Sequence, residues 1–254
     1  MELLEKERID DLQYKGLKII QKEDEFCFGI DSVLLSNFAK NIKKNSEIID
    51  LGTGTGIISI LLSKKLQAKK IYGIEIQKQV ADMAKRSVEL NSLENLVTIL
   101  NEDLKKLPEI LNKNYYDAIV TNPPYKKDNT GLKNENEAKL ISRHEIKCTI
   151  EDIASVSSKL LKNGGELYMV HRPERLAEII QVLVKYKLEP KILKLVYPKK
   201  DKEPNLILIK AVKNAKSFLK IEKPLFVYDE NNKYTQDILE IYNKGEFNET
   251  ENYI

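Results

Sequence analysis

The sequence predicts a doubly wound α/β fold: a seven-stranded, Rossmann-like sheet, mostly parallel, with an antiparallel C-terminal ending. Three observations carry that expectation. From Ser46 onward, short apolar runs alternate with amphipathic segments, the pattern of successive βα units. One such run, Ile48-Ile49-Asp50-Leu51, leads straight into the turn Gly52-Thr53-Gly54-Thr55-Gly56 and then into the apolar stretch Ile57 to Leu62. Near the end, the strand-like runs Ile192 to Val196 and Leu206 to Val212 flank the loop Pro198 to Pro204, which suits an antiparallel pair.

The elements follow in order. Residues 1–45 read as a short N-terminal extension. In it, Leu17 to Ile20 and Phe26 to Phe28 form a hairpin about the charged turn Lys22 to Glu25, and Asp31-Ser32 caps a helix running to Phe38. Residues 46–212 read as the main domain. Its second and third strands are Lys70 to Ile74 and Val97 to Leu100, with a helix from Gln77 to Asn91 after the second. Asp117 to Thr121 is a short buried strand. Ile150 to Leu161 is a helix ended by Gly164-Gly165 before the strand Glu166 to Val170. Pro173 suits the first turn of a helix reaching about Tyr186. Residues 213–254 form a C-terminal extension whose tail, from Asn243, is expected to fray. The polar stretch Lys126 to Glu137 reads as a mobile loop.

Composition narrows the function classes. The 254 residues suffice for one full core. Forty-two basic against 39 acidic residues leave a net charge of only +3, too little by itself to argue for nucleic-acid binding. The two cysteines, Cys27 and Cys148, and the two histidines have no metal-ligand spacing, so no metal is expected and a reducing, cytoplasmic setting fits. The N-terminus lacks the apolar core of a signal peptide, and no apolar run approaches membrane-spanning length.

The glycine turn and its acids point to a ligand. Three of the ten glycines fall within five residues, where positive φ and close backbone approach are needed. The spacing is G-x-G-x-G, which does not fit the dinucleotide fingerprint G-x-G-x-x-G. Asp50 would repel a pyrophosphate but suit a cationic ligand that carries an amino acid, favouring S-adenosylmethionine over NAD. Glu75 ends the second strand at the distance expected of a ribose-binding acid. Asp103, just past the third strand, can accept from an adenine amino group. Ligands of open α/β sheets bind at the carboxyl ends of strands, where all of these residues fall.

Asn122-Pro123-Pro124-Tyr125 follows the strand Asp117 to Thr121. Two prolines forbid both helix and ladder, so the chain must leave the sheet extended with carbonyls free to accept. A side-chain amide, a backbone carbonyl and an aromatic face within four residues can grip a planar group bearing an NH2. The Tyr125 ring is expected to act by stacking, which makes Tyr125→Phe mild.

Together these residues resemble the class I S-adenosylmethionine-dependent methyltransferases that act on amino groups. Phe26-Cys27-Phe28-Gly29-Ile30-Asp31-Ser32-Val33-Leu34-Leu35, Arg143-His144-Glu145, Val170 to Leu176 and Ile221 to Tyr228 look like the bacterial valine-tRNA adenine-N6 type. The resemblance covers roughly Leu12 to Val212. It implies a tRNA partner, methylation of the adenine beside the anticodon, and catalysis by Asn122, Pro123, Pro124 and Tyr125. It also implies a cofactor site formed by Asp50, Gly52, Thr53, Gly54, Gly56, Glu75, Ile76, Asp103, Leu104 and the edge residue Asn122. Arg143, Arg172, Lys126 and Lys127 are candidate RNA contacts; an isolated lysine is more often simply solvated. His144 and His171 are first read as structural or surface residues, and Asp31 as a helix cap or a cofactor contact. Three alternatives stay open: a release-factor glutamine methyltransferase, a guanine-N2 RNA methyltransferase, and a non-catalytic RNA- or cofactor-binding module. Oligomeric state is not encoded in any motif.

Overall fold

The computed structural model describes residues 3–22, 29–125 and 148–242. A central sheet runs through them. Its strands are β3 (Glu47–Leu51), β4 (Lys70–Ile74), β5 (Val97–Leu100), β6 (Tyr116–Thr121), β7 (Leu161–His171), β8 (Leu188–Tyr197) and β9 (Leu206–Lys213). They lie in the order β8-β9-β7-β6-β3-β4-β5, the expected seven-stranded sheet. Two-residue strands β10 (Lys220–Ile221) and β11 (Leu225–Phe226) extend it, both parallel to β8. Pairing from β5 through β7 is parallel, whereas β9 runs antiparallel to both β7 and β8.

Helices cover both faces. Helices α1 (Ile30–Phe38), α2 (Ile57–Lys65) and α3 (Lys78–Leu90) build one core with Ile48, Val120 and Val170; α5 (Ile150–Leu160) and α6 (Leu176–Lys185) build the other with Ile49, Ile119 and Met169. The short helix α4 (Leu107–Ile110) joins the second core, and α7 (Gln236–Ile241) the first. Every residue of β3 is buried, and successive residues serve opposite cores, which is why it reads as an apolar run rather than an alternation. The strand order reverses beside β3: β4 lies on one side of it and β6 on the other. A crevice therefore opens at the carboxyl ends of β3 and β6.

Several elements differ from expectation. β2 (Lys18–Lys22) pairs antiparallel with β1 (Glu7–Asp11), upstream of it, while Phe26 to Phe28 lie outside the described residues. Long-range bonds fix this hairpin on α3. Arg86 donates to both Glu7 oxygens at 2.6 and 2.7 Å, Ser87 Oγ accepts from Ile20 N–H at 2.9 Å, and Asn91 bonds both backbone groups of Lys18. The Arg86 guanidinium holds the Glu7 carboxyl below its ordinary range. At α1 the N-cap is Gly29, and neither Asp31 nor Ser32 caps. Leu161 pairs with Tyr116 and draws the chain into β7 at once, so Gly164-Gly165 form a register shift within the strand. The preceding helix is secured at its other end by a Thr149–Asp152 capping box. The tail beyond residue 242 and the stretch from Lys126 to Glu137 lie outside the described residues. Among the described residues no helix is long and apolar enough to cross a membrane, and no three His, Cys, Asp or Glu side chains converge as a metal site would require.

Candidate active site

The turn after β3 is held open by its glycines and tied down by Asp50. Gly52, Gly54 and Gly56 take φ of +70, +57 and +93°, a region that strains any residue with a Cβ. A Cβ placed on Gly52 or Gly54 would meet no atom within 4 Å, so the loop backbone faces open space. Asp50 is fully buried beneath it. Its Oδ2 accepts from Thr53 Oγ1 at 2.6 Å, Ser59 Oγ at 2.8 Å and Ser59 N–H at 3.2 Å. Its Oδ1 is buried without a partner. Burial pushes the carboxyl up to about 6, against the pull of those donors.

The end of β4 closes one side. Glu75 is buried; its Oε2 accepts from Gly54 N–H at 3.1 Å and its Oε1 from Gln77 N–H at 2.9 Å. Each carboxylate oxygen retains capacity for a further donor. Asn101 Nδ2 donates to the Glu75 and Ile76 carbonyls at 2.8 and 3.1 Å, clasping this strand end to the next. Ile76 is exposed and Leu104 is buried. Asp103 caps a short 3-10 turn by accepting from Lys105 N–H at 2.9 Å, and is partly exposed. Asn101, Ser59 and Gln77 were not singled out in the sequence. Their roles depend on partners two to 26 positions away, and no spacing pattern reports those contacts.

Asn122 to Tyr125 leave β6 next to that loop, and Thr121 Oγ1 donates to the Leu51 carbonyl at 2.9 Å across the crevice. Tyr125 is half-buried, with its hydroxyl turned inward. It lies 2.6 Å from Asn122 Oδ1 and 3.2 Å from Asp31 Oδ2, while Asn122 Nδ2 donates to Ser32 Oγ at 3.2 Å. The hydroxyl is thus engaged in the structure as well as the ring. Burial and the Asp31 charge hold the phenol well above its usual ionisation range. The His171 ring stands edge-on to Tyr125 at 5.0 Å, and the Arg172 guanidinium lies 5.1 Å over the ring while donating to the Asn205 carbonyl at 2.9 Å. His171 is buried and its Nδ1 accepts from Arg172 N–H; burial lowers it to about 4, so it stays neutral. Cys148 is half-buried and its thiol is pushed up to about 12, unsuited to nucleophilic work. Lys126, Lys127, Arg143 and His144 lie outside the described residues.

Residues 29–185 match the family model described as the methyltransferase small domain. A Porphyromonas gingivalis protein named tRNA1(Val) (adenine(37)-N6)-methyltransferase is 28% identical over 204 residues, covering 78% of this chain and 79% of the relative. A Histophilus somni protein of the same name is 25% identical, with 88% of this chain and 92% of that one covered. Among solved structures, a predicted O-methyltransferase from Agrobacterium tumefaciens superposes with a TM-score of 0.68 at 22% identity, covering 84% of this chain and 96% of that one. P. horikoshii TYW2 in complex with MeSAdo gives 0.58 at 14% identity, covering 84% and 73%. These structural likenesses speak to the fold. The family match spans well over half of the chain and includes both the glycine loop and Asn122 to Tyr125: the chain belongs to the methyltransferase small domain family.

Proposed function

We propose that this protein transfers a methyl group from S-adenosylmethionine to the N6 amine of an adenine in a tRNA anticodon loop. One observation carries the reading. The carboxamide of Asn122 and the carbonyls of the following prolines leave β6 directly beside the glycine loop of β3, so amine and cofactor sites adjoin at the switch point. The relatives named for adenine-37 of valine tRNA support the choice of acceptor.

The residues fit the cofactor. A buried, unpartnered carboxylate oxygen on Asp50 suits a cationic ligand, and the space above Gly52 and Gly54 admits one. Asp50, Gly52, Thr53, Gly54 and Gly56 would hold its amino-acid end, Glu75 and Ile76 its ribose, and Asp103 and Leu104 its adenine, with Asn122 at the edge. When bound, it supplies an electrophilic methyl group on a sulfonium. The chain's own part is to bind and aim the amine. Asn122 Oδ1 and the Pro123 carbonyl would accept hydrogen bonds from its two N–H groups and favour a pyramidal nitrogen whose lone pair faces the methyl donor. An in-line displacement that disperses charge is served chiefly by such positioning and electrostatics. Tyr125 offers its ring to a base turned out of its stack, which costs least in a single-stranded loop. Arg172, which lies over that ring, would meet a phosphate once a base displaces it, and Arg143, Lys126 and Lys127 remain candidates for the same work.

The deciding experiment incubates labelled S-adenosylmethionine with tRNA lacking its modification and, separately, with a release factor. Label in adenosine is expected. Label in protein glutamine alone would remove the RNA reading.

Two further outcomes are expected at the cofactor site. Glu75→Ala should weaken binding by roughly 1–3 kcal/mol, the value of a hydrogen bond to a charged group, as read by calorimetry; undiminished affinity would remove the ribose assignment. Affinity should also fall as pH drops below about 6, because protonated Asp50 no longer attracts a cation. The free protein should show the opposite trend. Its folded carboxyl binds a proton more tightly than the unfolded one, so stability falls as pH rises from the ordinary carboxylate range to about 6, and the cost is full above it. Calorimetry and thermal unfolding from pH 4 to 7, each compared with Asp50→Asn, measure both; trends that the asparagine variant shares would count against Asp50.

A further inference from the structure

Asp31 stands outside the chemistry described so far, yet it reaches the reacting motif from α1. It is 8% exposed, and its Oδ2 lies 3.2 Å from the Tyr125 hydroxyl, whose nearer neighbour is Asn122 Oδ1 at 2.6 Å. A phenol has one proton and can serve only one of these acceptors at a time. Ser32, the next residue of α1, accepts from Asn122 Nδ2, so the nitrogen end of the carboxamide is anchored and its oxygen end faces the hydroxyl. In this arrangement the oxygen that should receive the amine is already bonded.

We propose that Asp31 is a positioning residue: it draws the Tyr125 O–H toward itself as the amine enters and so releases Asn122 Oδ1 to accept from that amine. The proposal rests on the amine-methylating reading above. Turning the O–H requires only rotation about the Cζ–Oη bond, and a carboxylate is the stronger acceptor because its hydrogen bonds are charge-assisted. Once the proton has turned, the phenol presents lone pairs to the Asn122 oxygen. Two acceptors at that separation repel, and the carboxamide then requires a donor, which the amine provides. The His171 ring against Tyr125 fixes the phenol while its proton changes partner.

A double-mutant cycle tests this through single-turnover transfer at saturating S-adenosylmethionine. Asn at position 31 can donate to Tyr125 Oη and pin the phenol proton on Asn122. Asp31→Asn should therefore slow transfer by about 10-fold, the scale of one hydrogen bond, with cofactor affinity unchanged. In a Tyr125→Phe background the same substitution should cost nothing further, and Asp31→Glu should recover part of the rate. An equal loss in both backgrounds, no loss in the native background, or weakened cofactor binding would each overturn the hand-over. The cycle is read on whichever acceptor the native protein labels, so label in glutamine sinks the RNA reading and leaves this test intact; label in neither acceptor overturns both. In native protein carrying 13Cζ-tyrosine, binding of the labelled acceptor should shift the Tyr125 resonance. A resonance that stays put would overturn the proposal without any substitution.

Discussion

Asn122→Ala should cut single-turnover methyl transfer by about 100-fold or more, the scale of losing one preorganised donor–acceptor contact in the transition state. Affinity for S-adenosylmethionine should barely change. Among the described residues the Asn122 side chain bonds only Ser32 and Tyr125, neither of which touches Asp50 or Glu75. Rapid-quench transfer and calorimetry on one preparation separate the two effects. A variant that loses binding and rate together would mean that Asn122 belongs to the cofactor site and not to the amine.

Asp50→Ala and Asp50→Asn should fail in different ways. Alanine leaves Thr53 Oγ1, Ser59 Oγ and Ser59 N–H without their acceptor. Unmet buried donors cost about 1–3 kcal/mol each, partly offset here by removing a buried charge and by the Thr53–Ser59 contact at 3.3 Å. A net loss of about 2–4 kcal/mol follows, a fall in Tm on the order of 5–10 °C. Asparagine keeps the volume and one acceptor oxygen, so stability at neutral pH should hold within about 1 kcal/mol. Without the charge, however, cofactor affinity should drop by roughly 10- to 100-fold, as expected for a hydrogen bond to a charged group. Thermal unfolding and calorimetry on both variants check this. An asparagine variant that binds normally would show that the orphaned Oδ1 is not a ligand contact.

What the sequence made legible were features encoded in a few consecutive residues. The order of Asp50, three glycines and an apolar helix, the acid ending β4, and a proline pair after an apolar strand each state a backbone requirement locally. The alternation of strands and helices likewise yielded the seven-strand sheet. The tether from α1 was not legible: Ser32 and Asn122 are 90 positions apart, and no local rule joins them. The first hairpin was misread because β1, Glu-Arg-Ile-Asp-Asp, is nearly all charged and owes its place to the Arg86–Glu7 pair and to β2, itself held by Ser87 and Asn91, rather than to its own pattern. The glycine pair inside β7 looked like a helix stop because its alternative, a register shift opposite β6, depends on a partner strand about 45 residues earlier. Two-residue strands such as β10 and β11 carry no periodicity to detect.

The position of β9 bears on how the chain can be made. It is the last long strand to leave the ribosome, yet it lies between β7 and β8, both synthesised earlier. Until residue 213 has emerged, β7 must keep one edge bare and β8 has no long neighbour at all. A nascent chain arrested before Leu206 would expose the apolar edge of β7 to any other strand in reach. The strands bearing the glycine loop and Asn122 are complete by then, so a growing chain would own its reactive machinery before it owned a closed sheet. Any shortening from the C-terminal side that removes β9 is thus expected to yield aggregates rather than a smaller working enzyme.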